Sequence, residues 1–140
     1  MYLSFEDYQE YGGTLDETAY NQLEFEARAV IDWWTFNRLQ NEETYPEAVK
    51  RCMYKLIQLI HDKQASMVVN AGTSGESSSI QAGIASESND GVSTSYNTLS
   101  AKDAVDTIQD ELKSTISMYL SSVRNSLGRK VLYRGVYPDE

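Results

Sequence analysis

The stretch "TLDETAYNQLEFEARAVIDWWTFNRL", residues 14–39, decides the fold class. Asp16 suits a helix cap, because its carboxylate can accept from the first-turn N–H groups that lack an intrahelical partner. Tyr20, Leu23, Ala27, Val30, Ile31 and Trp34 then recur at spacings of three and four, which predicts an amphipathic helix over about 16–36. Such a helix has one dry face and needs other helices to cover it.

The flanking sequence supplies them. In "LSFEDYQEYGG" (3–13), Ser4 precedes Asp7 by three residues as an approximate capping box, and Gly12-Gly13 stop the run, so a short helix is expected over about 5–11. After the polar "QNEET", Pro46 suits a first helical turn, where its missing N–H costs nothing. Val49, Cys52, Met53, Leu56, Ile57 and Ile60 form the stripe of a third helix over about 46–66. Residues 70–79, "NAGTSGESSS", are small and polar and read as a flexible connection. Ser100 then caps a long final helix over about 101–127, with Val105, Ile108, Leu112, Ile116, Tyr119, Leu120, Val123 and Leu127 on one face and Gly128 as its stop. The expectation is a mainly α protein, residues 1–140 as one domain: a small bundle of about four helices with a long C-terminal helix and an inserted β-hairpin arm.

The arm is expected over about 80–97, around "GIASESNDGVSTSYN" (83–97). Asp90-Gly91 as a two-residue loop would set Tyr96 against Ala85. Asn89-Asp90-Gly91 as a three-residue loop pairs Ser88 with Val92, Ser86 with Thr94 and Ile84 with Tyr96, gathering the large side chains on one face, and is preferred. Strands of about seven or eight residues make an arm roughly 25 Å long. Two isolated strands are marginal in water, and only Ile80, Ile84, Val92 and Tyr96 are sizeable apolar groups, so another surface must complete them. The pattern leaves two open: the protein's own helices, or a neighbouring subunit met by Ile84, Val92 and Tyr96.

The net charge of −9 is unevenly placed. Residues 1–47 hold eleven acids and two bases, whereas residues 48–140 hold ten of each. An acidic first third opposes the counterion-release term that drives non-specific nucleic-acid binding. No apolar run reaches the roughly 18 residues of a membrane span, and "MYLSFEDYQEYGG" lacks a basic start, so a soluble, cytosolic chain is expected, without a membrane partner. The single cysteine, Cys52, excludes a disulfide framework and is expected as buried packing.

No catalytic, metal or cofactor residues are assigned. His61 has no nucleophile beside it, and Asp62 points about 100° away on a helix; its place near the end of the third helix has a structural reason in the helix dipole. Glu24 with Glu26, Glu42 with Glu43 and Asp110 with Glu111 lack a shared helix face. Asp103, Asp106 and Asp110 share one but lack further ligands. "GTSGESSS" has no lysine for a phosphate loop. Trp33 and Trp34 cannot face the same way; either one is core and the other anchors an interface, or both lie at the edge of the core. The tail, "GRKVLYRGVYPDE" (128–140), interleaves bases and apolar residues and is either a short strand or an extended segment.

The order of "YLSFEDYQEYGGTLDETAYNQLEFEARAVIDWWTFNRL", "YPEAVKRCMYKLI" and "SESNDGVSTSY" before a long helix resembles the head-tail connector, or head-completion adaptor, proteins of tailed phages and prophages of Gram-positive bacteria, over roughly residues 2–127. The resemblance implies a structural virion protein at the capsid–tail junction, made in the bacterial host cytoplasm. It implies a homo-oligomeric ring of about twelve subunits under the portal protein, joined to a downstream head-tail joining or stopper protein, with DNA passing through the channel without specific binding. It implies no cofactor and no catalysis. Together with its basic-apolar makeup, it makes Arg129, Lys130, Leu132, Tyr133, Arg134 and Tyr137 candidates for portal-side or tail-side docking. The alternative function is a small helical DNA-binding or DNA-packaging accessory protein.

Overall fold

The structure is a computed structural model and describes residues 1–72, 86–89, 92–95 and 101–138. It is mainly helical, with α1 (Phe5–Glu10), α2 (Glu17–Thr35), α3 (Glu47–Gly72) and α4 (Ala101–Leu120). Two short strands, β1 (Ser86–Asn89) and β2 (Val92–Ser95), lie between α3 and α4 in the chain. The chain divides into two compact units, one of residues 1–61 with 112–140, the other of residues 62–111.

The first unit holds the core. The Ser4 hydroxyl accepts from Asp7 N–H at 3.1 Å and so caps α1, while Gly12 at φ +92° ends it. A Cβ at Gly13 would overlap the Tyr8 ring, so the chain reverses there by backbone alone. Asp16 caps α2 by accepting from Ala19 N–H at 2.7 Å. At the other end Phe36 and Asn37 both take left-handed conformations, and Asn37 N–H closes the helix on Asp32 O at 2.9 Å. The buried face of α2 is Tyr20, Leu23, Glu24, Ala27, Ile31 and Thr35. Val30 and Trp34, expected in that stripe, are only partly buried, and Glu24 and Thr35 take their place. Thr35 satisfies its hydroxyl by donating to Ile31 O at 2.8 Å. The Glu24 carboxylate accepts from Tyr2 N–H at 3.2 Å and lies 3.7 Å from the Arg28 guanidinium, so it is not left unpaired.

The α3 stripe is the one the spacing predicts: Val49, Cys52, Met53, Leu56, Ile57 and Ile60 are all buried. Burial pushes the Cys52 thiol up to about 12. The thiolate needed for attack is therefore scarce at neutral pH, and Ellman's reagent is expected to label Cys52 only as the protein unfolds in urea, at one thiol per chain. Labelling at a free-thiol rate in native buffer would show the core around α3 to be open.

Lys50 Nζ meets Asp7 Oδ2 at 2.8 Å, tying α3 to α1. The Lys50 hydrogen bond, then that from Ser4, hold the Asp7 carboxyl below its ordinary value. A depressed folded value means that the stabilisation is full above the unfolded carboxylate range and is lost as pH falls through the folded value. Asp7→Asn is thus expected to lower stability at neutral pH and to reduce the loss on acidification below the ordinary carboxylate range, as read from urea midpoints at neutral and acid pH. Parallel wild-type and variant profiles would refute the pairing.

Helix ends differ from the sequence expectation. Helix α3 continues to Gly72 rather than about Ser66, because no breaker precedes that glycine. His61 therefore lies eleven residues from its end, which removes the dipole argument for it. Helix α4 stops at Leu120, not near residue 127. Instead Val131 N–H donates to Val123 O at 3.2 Å, a bridge joins Arg124 to Lys130, and Gly128 at φ +74° sits in the turn between them. Val123 and Val131 are buried by this reversal, while Leu127, expected on the helix stripe, is 69% exposed. The tail is accordingly neither a strand of its own nor an extended segment at its start.

The strands pair antiparallel over four residues each, with Asn89 opposite Val92, Ser88 opposite Ser93, Glu87 opposite Thr94 and Ser86 opposite Ser95. This is the register that sequence reading set aside, and an arm of seven or eight residues per strand is not supported. Val92 is in β2; Ile84, Tyr96, the Asp90-Gly91 loop, the connection from residue 73 to 79 and the Ser100 cap lie outside the described residues. No helix among the described residues is long and apolar enough to cross a membrane.

Candidate functional site

Within the first unit, one arginine gathers three carbonyls of the tail. Arg38, just past α2, donates from Nη1 to the carbonyls of Val131 (3.4 Å) and Tyr133, and from Nη2 to Gly135 O at 2.9 Å. Its guanidinium also lies over the rings of Phe36 and Tyr137, at 5.3 and 5.0 Å. Arg129 faces Tyr137 too, at 5.0 Å, so one phenol ring carries two cations. Lys130 N–H donates to the Tyr137 hydroxyl at 3.0 Å, and the Tyr133 ring is 5.0 Å from that of Tyr137.

The structure thus brings Arg129, Lys130, Tyr133 and Tyr137 together in one surface cluster, in which Lys130 and Tyr133 are exposed and Arg129 and Tyr137 half-buried. Leu132 packs against the core instead. Arg134 leaves the cluster and stacks on Trp34, 4.9 Å from its centre. Of the two readings of the tryptophans, Trp34 packs against the core, whereas Trp33 stands 71% exposed, edge-on to its neighbour at 5.1 Å.

That contact opens onto a feature sequence reasoning missed. Phe25, Ala29 and Trp33 recur every four residues, so α2 carries a second, partly apolar stripe away from its buried face, and Phe36 stands just past its C-terminal end. Phe25 and Phe36 are 63% and 52% exposed. The spacing was visible in the sequence, but a helix with two apolar stripes reads as one broad one. An open cleft of about 530 Å³ lies along it, lined by Ala29, Asp32, Trp33, Trp34, Phe36 and Arg134 among others. A second cleft, of about 400 Å³, shares Ala29 and Asp32 and runs on past Phe25, Arg28 and Tyr45.

The charges along this groove are unequally matched. Asp32, in the middle, accepts from the Tyr2 hydroxyl and from Gln40 Nε2 at 3.1 Å. Burial and then the Asp32 bond raise the Tyr2 phenol above its ordinary range, so that proton stays. Arg28 is beside Glu24. Arg134 has a ring beneath it but no carboxylate within ion-pair distance among the described residues.

No three His, Cys, Asp or Glu side chains among the described residues gather as metal ligands. The arrangement offers contact area and one cation. No family model, curated protein or solved structure matches the chain.

Proposed function

We propose that the protein is a structural adaptor of the head-tail connector kind, which assembles as a homo-oligomeric ring below a portal protein and extends the DNA channel towards the tail. The observation that carries this reading is the group of exposed aromatic side chains on and just past α2, Phe25, Trp33 and Phe36. Exposed apolar surface of that kind marks contact with another macromolecule. The order of sequence motifs supplies the class of assembly.

In this reading identical subunits repeat one heterologous contact until the rotation closes. The segment between α3 and α4, which includes Val92 of β2, crosses to the neighbouring subunit. Arg129, Lys130, Tyr133, Arg134 and Tyr137 face the portal or the downstream joining protein. The acids of the first third keep passing DNA from adhering. The place of work is the capsid–tail junction of a virion.

The test is subunit mass in solution, alone and with the candidate portal protein. A ring, alone or on the portal, is the expected result, and a chain that stays monomeric at every concentration in both conditions overturns it. Deleting residues 83–97 is expected to leave the helical far-ultraviolet signal in place while abolishing assembly; unfolding on deletion would make the segment part of the fold rather than a joint between subunits.

One observation favours the DNA-accessory alternative: residues 112–138 contain five bases and no acid. That reading requires a DNA affinity that falls steeply with salt.

A further inference from the structure

We infer that the α2 groove receives a peptide segment of a protein partner in which a bulky apolar side chain stands close to a carboxylate. Two features define that chemistry.

The first is the wall. Trp33, Trp34, Phe36 and Ala29 form an open apolar surface, with Phe25 further along the same helix. Such a surface takes an aromatic or branched aliphatic side chain and gains by excluding water from both partners. Ala29, between Phe25 and Trp33, leaves room for a backbone to approach.

The second is Arg134. Its planar group spends one face on Trp34, which leaves the in-plane N–H edge available. That edge matches a carboxylate in bidentate geometry, and the ring behind it keeps the guanidinium oriented before the partner arrives. Asp32 is already matched by Tyr2 and Gln40, and Arg28 by Glu24. Arg134 is therefore a polar group of the groove with hydrogen-bonding capacity still open, beside an Asp32 whose two oxygens already accept, and it favours a segment that brings a single carboxylate to that edge. A nucleic acid would bring a row of phosphates to a single cation flanked by carboxylates, which selects against it.

The inference names the chemistry of one partner in the adaptor reading, but its readout is separate from ring mass, so either can fail alone. The experiment selects a ribosome-displayed library of random dodecapeptides on the full chain, with Arg134→Gln as the counter-target. Enriched peptides are then synthesised and titrated by calorimetry. The expected result is enrichment of an aromatic or leucine-like residue near Asp or Glu. Arg134→Gln should weaken the synthetic peptide by about tenfold; replacing the peptide's acid by its amide should weaken it equally, with no further loss when both changes are combined. Trp33→Ala should also weaken binding while leaving the urea midpoint near wild type.

No enrichment over the counter-target, enrichment without acids, or equal affinity for Arg134→Gln each overturns the inference. So does a labelled single- or double-stranded oligonucleotide that displaces the peptide at physiological salt.

Discussion

Val131→Asp is expected to cost about 4 kcal/mol or more, because an unpaired carboxylate would sit where no water reaches. Val131 has no exposed surface, and its N–H and C=O are already engaged by Val123 and Arg38. A chain of this size has only about 5–15 kcal/mol in total, so the variant should be largely unfolded at low urea. Val136→Asp is the matched control: the same residue type, five positions along, 80% exposed, with an expected change within about 0.5 kcal/mol. Urea denaturation followed by circular dichroism separates them. Equal midpoints for the two variants would mean that the tail is not part of the core.

Arg38→Ala should cost about 2–3 kcal/mol. Three carbonyls of the tail accept from one guanidinium, and bonds from a charged donor are the stronger kind. The sum is well below three full contributions because the tail is partly open to solvent, and freed carbonyls can turn to water. Arg38→Lys should recover less than half, since a point charge cannot span three acceptors while stacking on Phe36 and Tyr137. Amide exchange gives the spatial readout: protection should fall at Val131 and Tyr133 before it falls in α2 or α3. Wild-type protection there in Arg38→Ala would refute the clamp.

The contrast between α3 and the tail explains what could be read in advance. The α3 stripe depends on one local period, and a single dry face leaves no choice about which side turns inward. Ser4 and Asp16 act within three residues of themselves, so their capping was equally visible. The end of α4 was not, because Val123 keeps the helical period whether the chain continues or reverses, and only the pair Ser121-Ser122 hinted at a stop. Arg38 reaches acceptors more than ninety residues away, and nothing near it in sequence marks that role. The burial of Glu24 depends likewise on a backbone N–H 22 residues earlier, that of Tyr2. The groove on α2 was half legible: its residues were in view, but the exposure of Trp33 and the stacking of Arg134 on Trp34 follow from the tail's path.

Trp33 and Trp34 are the only two indoles in the chain, and they meet edge-to-face with an interplanar angle of 87°. All of the protein's ultraviolet emission above the tyrosine band consequently arises from a single spot. Excitation passes between the two rings at this separation, so a change at either one alters the light from both. Wavelength and lifetime therefore report first on that spot, without any dye attached.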